Sequence, residues 1–210
     1  MNTAMSSIYS TLFDKILKNT YKQGVRLKED DLSTEFHISR TPVREALRLL
    51  SQDGLVELSP NKGAKVVGFT VDDVEEIYEI RKSLEAQALK YSAPSLSING
   101  LKQIRDEIVA AADCPEGATH EALDARLHNY FITASGKRRL TGILNQMVRL
   151  IQQFRDLGFK DPTVRAAALR AHLDLIDALC VRNLDHALRV LDEHLEASKK
   201  NAISLIIRGS

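Results

Sequence analysis

The sequence predicts a mainly α protein in two parts: a small N-terminal unit of helices closed by a basic hairpin, then an all-α antiparallel bundle of about six helices. Three observations carry this expectation. Apolar residues recur at helical spacing through Ile38–Val56, ISRTPVREALRLLSQDGLV, and two short β-rich runs around a Gly-containing turn follow at once. From Val71 onward no strand alternation is left, and long amphipathic segments take over. Short breakers separate those segments, which is the loop pattern of antiparallel neighbours.

Taken in order, a short helix comes first, largely polar from Glu29 to Glu35, with Leu32 and Phe36 four apart. Phe36, His37 and Ile38 connect it tightly to the next. Ser39 and Thr41 are N-cap residues, and Pro42 falls where a missing backbone N–H is harmless. Val43, Ala46, Leu47, Leu49 and Leu50 form a buried stripe, while Arg40, Arg44 and Arg48 lie four apart on one exposed face. Asp53-Gly54 stops the helix, with Gly in the left-handed conformation. Leu55–Leu58 and Ala64–Val67 are then two strands around the turn Ser59-Pro60-Asn61-Lys62-Gly63, with Lys62 and Lys65 as its cations. Helix, helix, recognition helix and basic hairpin together make a winged helix-turn-helix over residues 1–69. Its reading helix fits a major groove, where the planar fork of arginine meets guanine O6 and N7 with two hydrogen bonds. Three arginines at this spacing also describe any solvated helix face, so the elements on either side carry the expectation of DNA binding.

In the remainder, residues 70–210, Thr70 caps a helix over 71–91 that carries Val74, Ile77, Tyr78, Arg81, Leu84 and Glu85. Ser92-Ala93-Pro94-Ser95 breaks it. Further helical patterns cover 97–112, 118–135, 138–158, 162–181 and 184–205, separated by Cys114-Pro115-Glu116-Gly117, Ser135-Gly136, Asp161-Pro162 and Arg182-Asn183. Three histidines fall on apolar stripes. His128 follows Asp124 by four residues beside Leu127 and Phe131; His172 lies between Leu169 and Ile176; His194 follows Val190 and Leu191. One aspartate and three inward histidines on three helices are a donor set for a divalent cation. Singly, each histidine is equally a core residue with one hydrogen bond, and Asp124 a partner for Arg126; spacing does not show that the four converge. His37, His120 and His186 lie outside the pattern and read as turn or surface residues.

Composition narrows the function classes. The 210 residues are enough for two modest cores, and 44% hydrophobic residues fit a folded chain. No apolar run approaches the ~20 residues of a membrane span, and the N-terminus lacks a secretory pattern. Isolated Cys114 and Cys180 suit a reducing cytoplasm, with Cys180 expected in the core. The net charge is +1, and residues 1–69 hold ten Lys and Arg against eight Asp and Glu. DNA binding would thus rest on the placement of a few cations, with affinity falling steeply as salt rises. A metal-dependent hydrolase is the rival reading of an Asp/His site. Against it, the chain lacks a contiguous His-Asp pair, an HExxH segment, a Gly-x-Ser-x-Gly elbow and a Gly-rich phosphate loop, leaving only Glu85 and Glu121 as possible general bases.

Residues 24–69, GVRLKEDDLSTEFHISRTPVREALRLLSQDGLVELSPNKGAKVVGF, resemble the N-terminal domain of GntR-family transcriptional regulators. The resemblance implies operator contacts from Ser39, Arg40, Thr41 and Arg44, beside Arg48 on the same face, with Lys62 and Gly63 reaching from the wing. Asp30 stands where the family often has Arg, and His37 where it has a small residue. Residues 70–205 resemble the FCD domain, the ligand-sensing domain of the FadR subfamily, through IRKSLEAQAL, LDARLHNYFITASG, AHLDLIDAL and ALRVLDEHL in that order. This likeness implies a metal site at Asp124, His128, His172 and His194, with zinc, nickel or manganese as the ion. It also implies a small carboxylic acid effector completing the metal shell. Arg81 is then either a second clamp on that acid or an i, i+4 partner of Glu85, and Arg149 is a further effector-binding candidate. Lys137 and Arg182-Asn183 depart from the pattern at helix ends. A homodimer would place two recognition helices on the half-sites of a palindromic operator in double-stranded DNA, as a repressor that the effector releases or, in the alternative, as an activator. A sensor of the metal itself would use the same four residues.

Overall fold

The computed structural model describes residues 3–59, 63–112 and 116–209, so Pro60, Asn61, Lys62 and Cys114 lie outside the described residues. Among the described residues the chain is mainly α, with a small three-stranded sheet. It falls into two units: one runs to residue 73 and takes in the stretch from 204, and the other covers 74–203.

The first unit is built from α1 (Thr3–Leu17), β1 (Arg26–Leu27), α2 (Glu29–Glu35), α3 (Arg40–Gln52), β2 (Val56–Ser59) and β3 (Gly63–Val66). The apolar stripe of α3 is the centre of its core: Val43, Ala46, Leu47 and Leu50 are buried, and α1 packs on this helix with Ile8, Leu12, Phe13 and Ile16. The Tyr9 hydroxyl donates to Asp53 Oδ2 at 2.8 Å in the interior, tying α1 to the end of α3. Three details differ from the sequence expectation. Thr41 sits inside the helix, and only Ser39 is the N-cap, its side chain making no cap hydrogen bond. Leu49 is half-buried, because a 3.6-residue period turns it about 100° away from Leu50. The sequence patterns placed neither α1 nor β1. The two residues of β1 are too few for alternation to show.

The sheet has the order β1-β3-β2, antiparallel throughout, with Val56 opposite Val66 and Arg26 opposite Lys65. Gly54 takes φ +80 after α3, as expected of the stop signal. Gly63 has φ +78, and a Cβ there would lie 2.2 Å from the Leu27 carbonyl oxygen of β1. Only glycine lets the wing return this close to that strand.

The second unit holds α4 (Val71–Ser92), α5 (Ile98–Ala110), α6 (Gly117–Ala134), α7 (Arg138–Gly158), α8 (Pro162–Cys180) and α9 (Leu184–Gly209, whose last turns pass beyond this unit). Local chemistry fixes several of the starts. Thr70 and Asp73 cap α4 reciprocally, Asp73 Oδ2 accepting from Thr70 N–H at 2.7 Å and Thr70 Oγ1 from Asp73 N–H at 3.2 Å. Asp161 accepts from Thr163 N–H, with Pro162 in the first turn of α8. The core joins Leu101, Ile104 and Ile108 of α5 to Leu127 and Phe131 of α6, Leu175 and Ile176 of α8, and Leu191 and Leu195 of α9. α5 and α6 both pack on α8, and α6 packs on α7.

His120, expected at the surface, is only 3% exposed. It lies four residues before Asp124, so it shares the inward face of α6 with Asp124 and His128. His186 stays near the surface and pairs with Asp174 at 3.0 Å. Cys180 is half-buried against the core. No described helix is long and apolar enough to cross a membrane.

We predict that Gly63→Ala destabilises the chain by about 1–3 kcal/mol, through the positive φ and the clash with Leu27. Urea denaturation of the full-length variant measures this, and an unchanged midpoint would show that the wing relaxes around the added methyl.

Candidate metal centre and nucleic-acid interface

Helix α6 points Asp124 and His128 inward one turn apart, α8 brings His172 to the same place, and α9 brings His194. All four are buried, and one donor atom from each lies within 4.8 Å of the others. Asp124 Oδ1 is 3.0 Å from His172 Nε2, 3.5 Å from His194 Nε2 and 3.7 Å from His128 Nε2. His194 Nε2 is 3.3 Å from the Nε2 of both His128 and His172. Donors bound at about 2.0–2.1 Å to one ion sit roughly 3.0–3.4 Å apart when adjacent. Three of these separations fall in that range and two, at 3.5 and 3.7 Å, are somewhat longer, so the four atoms approach the spacing of one coordination shell.

The groups behind the cluster aim it. His128 Nδ1 lies 2.6 Å from Glu85 Oε2, and Glu85 Oε1 accepts from Arg81 Nε at 2.6 Å. An Nδ1–H donated to Glu85 leaves the Nε2 lone pair of His128 directed into the cluster. Three imidazole nitrogens and a carboxylate oxygen, all crowded together, cannot satisfy one another by hydrogen bonding alone, whereas a divalent cation satisfies them together. Asp124 Oδ2 is 2.5 Å from Arg155 Nε as an ion pair, yet this atom lacks a partner with hydrogen-bond alignment.

Electrostatics favour the ligating forms of His194, His128 and Asp124. Burial pushes the His194 imidazole down to about 3, aided by the neighbouring His172 and His128 and opposed by its bond to Asp124. Burial likewise lowers His128, against the pull of Glu85 and Asp124. Burial alone would raise the Asp124 carboxyl, but Arg155, His128 and the bonds from His172 and His194 hold it well below its ordinary value. Glu85 is also held below the usual carboxylate range, Arg81 and His128 overcoming its burial. Glu121 behaves oppositely: burial and the nearby Asp156 push it up to about 7.

A cavity of about 350 Å³ opens beside Asp124 and His194, among the end of α7, α8 and α9. Neither Arg81 nor Arg149 lines it. Arg81 is 1% exposed and committed to Glu85, the i, i+4 alternative weighed from sequence, while its Nη2 is buried without a hydrogen-bond partner. Arg149 is half-buried on α7. The guanidiniums in its lining are Arg155, set next to buried Asp124, and the exposed Arg170. The signal for Arg155 lay in the α7 stripe: it follows buried Ile151 by four residues and precedes buried Gly158 by three.

In the first unit, α3 presents Arg40, Arg44 and Arg48 to solvent, with side chains 65%, 53% and 58% exposed. Each is paired with an acid. Arg40 Nε lies 2.6 Å from Asp30 Oδ1, and Arg48 Nη1 lies 2.9 Å from Glu45 Oε1. Arg44 donates from Nε and Nη2 to both oxygens of Glu29, at 2.7–3.0 Å, which lowers the Glu29 carboxyl pKa. Exposed pairs of this kind contribute about 0–1 kcal/mol, so they exchange readily for an anionic partner. Ser39 and Thr41 are exposed at the start of α3, and Gly63 opens β3 beside the same concavity, which Arg26 and Lys28 also line. Arg26 was missed because its place opposite Lys65 depends on a strand too short to show in the sequence. Lys62 lies outside the described residues.

Comparisons with known proteins agree with this division. Residues 4–66 match the model of the bacterial regulatory proteins of the gntR family, and residues 76–197 match the FCD domain. An uncharacterized HTH-type transcriptional regulator of Bacillus subtilis, YdhC, is 30% identical over 183 residues, 85% of this chain and 82% of the relative. The HTH-type transcriptional repressor RspR of Escherichia coli is 24% identical over 192 residues, covering 90% and 84%. Among solved structures, E. coli McbR/YncC superposes with a TM-score of 0.68 at 18% identity over the full length of both chains, a likeness of fold. These relatives are named as regulators of transcription, which sets the hydrolase reading aside.

The depressed His194 pKa has a testable sign. A histidine neutral in the fold but protonated when unfolded leaves stability intact above its ordinary 6.5 and removes it as pH falls from there toward 3. Glu121 works the other way, its contribution fading as pH rises from 4.5 to about 7. A comparison with His194→Gln isolates the first effect. In metal-stripped protein, unfolding free energy should fall more steeply in the wild type between pH 6.5 and 4, by up to about 1.4 kcal/mol per pH unit. Equal slopes would mean that burial does not hold His194 neutral.

Proposed function

The chain belongs to the gntR family of bacterial regulatory proteins and carries an FCD domain, and from that premise we propose that it is a cytoplasmic, effector-responsive repressor. It is a DNA-binding regulator of transcription. In the proposal, residues 1–69 bind DNA, and residues 70–210 bind metal and effector and join two copies into a homodimer. The repressor sign draws support from RspR, a relative named as a repressor. One observation carries the ligand-responsive half: Asp124 Oδ1 and the Nε2 atoms of His128, His172 and His194 converge in the interior beside a cavity.

On the DNA side, the roles follow from placement. A dimer sets two α3 helices on the halves of a palindromic operator. Arg40, Arg44 and Arg48 give up their carboxylates for base edges and phosphates, Arg44 being the reader of a guanine. Ser39 and Thr41 sit at the helix start, where N–H groups and hydroxyls face a phosphate, and Gly63 with Lys62 brings the wing to the backbone.

On the effector side, Asp124, His128, His172 and His194 hold a divalent ion, with zinc, nickel and manganese as the fitting candidates. Once bound, the ion supplies positive charge and open coordination positions for an organic carboxylate. Glu85 holds the His128 tautomer, and Arg81 acts through Glu85 rather than by touching the effector. Arg155 faces the cavity and balances Asp124. An acid that fits one arrangement of these helices better than another shifts the population of DNA-competent dimers. Its differential affinity limits that shift, and roughly 1–3 kcal/mol of coupling changes operator affinity about 5- to 150-fold.

The test is metal content of the full-length protein, paired with thermal shift by small carboxylic acids before and after chelation. About one ion per chain is expected, lost in His172→Ala, with acids stabilising only loaded protein. Stoichiometric metal in His172→Ala would refute the four-ligand site. For the reading head, Arg44→Ala should weaken binding to a selected operator by about 1–3 kcal/mol while changing random-duplex binding less. Equal losses on both DNAs would make Arg44 a phosphate contact.

A further inference from the structure

The cavity beside the Asp124/His194 edge of the cluster has a charge and polarity profile that selects among carboxylic acids. Its deep end holds Arg155, whose side chain is 12% exposed, next to buried Asp124 and His194. Much of its lining is apolar, with Phe154 from α7, Phe159 just after it, Val164 and Ala168 from α8, and Val190 and Ala197 from α9, beside the ring of Tyr78. Small residues on the facing α8 and α9 surfaces are what keep this space open. Ser198 and Asn201 add a hydroxyl and an amide. At the rim stand two carboxylates, Asp174 and Glu193, against one guanidinium, Arg170.

We infer that this cavity takes a monocarboxylic acid with an apolar body, aromatic or branched aliphatic, whose carboxylate faces Arg155 at the deep end. The inference rests on the proposed effector site and deepens it by naming the ligand class. A second carboxylate, carried on a short chain, would reach toward Asp174 and Glu193 and meet like charge. A polyhydroxy body would press hydroxyls against phenyl and methyl walls, each unpartnered hydroxyl lowering affinity by about tenfold. An apolar body buries its surface against those walls instead. At about 350 Å³ the space lies at the small end of ligand pockets, which suits a compact acid rather than a long acyl chain. The carboxylate also lies near the Asp124 anion, so binding requires the cation that the cluster holds.

The experiment is isothermal titration of full-length, zinc-loaded protein with four probes: 3-phenylpropionate, 4-methylpentanoate, succinate and gluconate. The first two should bind at least tenfold more tightly than the last two, and Arg155→Gln should weaken them about 10- to 100-fold. Ala168→Phe, which fills the cavity and leaves the ion pair intact, should abolish their binding while the loaded protein keeps its metal and its helicity. This second variant guards against a fold defect in Arg155→Gln. Tighter binding of succinate or gluconate would overturn the ligand class and leave the effector site standing. Apolar acids that bind Ala168→Phe as well as wild type would place their site elsewhere and overturn the inference. Failure of all four acids on protein with one zinc per chain would overturn both the ligand class and the effector site.

Discussion

One buried carboxylate organises the helical unit. Asp124 is 2% exposed, and an isolated charge in such a place is strongly unfavourable. It persists because three imidazoles and the Arg155 guanidinium surround it, and because Glu85 and Arg81 stand behind His128. These groups come from α4, α6, α7, α8 and α9, so five helices are positioned in part by a single negative charge. Hydrophobic packing brings those helices together and is non-directional, so it tolerates small rotations about their axes better than directed polar contacts do. The polar cluster tolerates them less, since a rotation that turns His172 or His194 away leaves polar groups unsatisfied in the interior.

That sensitivity makes a sensing role physically reasonable. Under the proposed function, a cluster of lone pairs aimed at a common point would respond to a cation directly, and the cavity along one edge of it would let a second ligand alter the same set of contacts. Apolar pockets elsewhere in a bundle could bind a ligand without moving anything. Here the cavity wall and the charged cluster share Asp124, His194 and Arg155, so under the proposed function a ligand in the cavity would act on the cluster.

The reading helix obeys a different economy of charge. Its three arginines are neutralised by Asp30, Glu29 and Glu45 in the unbound chain, in keeping with a net charge of only +1. A protein built this way does not draw DNA by bulk attraction. In the proposed complex it would exchange weak, exposed ion pairs for groove contacts, which would favour sites where the guanidinium forks find matching acceptors. The buried stripe of α3 and the Tyr9–Asp53 hydrogen bond hold the helix rigid while its outer face changes partners.

The two halves were legible in the residues to different depths. Periodicity, caps and breakers are local, so α2 through α9, the wing strands and the left-handed Gly54 could be read from the order of residues alone. Two-residue β1 could not, because a pattern of period two needs more residues than that. The surface assignment of His120 failed although its i, i+4 spacing to Asp124 was visible, since only packing reveals how wide the inward face of α6 is. Sequence by itself determined the helical period and so placed Asp124, His128, His172 and His194 on apolar stripes as available donors, though it left His120 off the same inward face. Tertiary structure alone decided that their donor atoms meet within 4.8 Å, that Arg155 rather than Arg81 reaches the cavity, and that Arg81 is taken up by Glu85. The reason is geometric. Helical period sets the direction of a side chain within its own element, but the crossing and depth of helices distant in sequence set where those directions intersect.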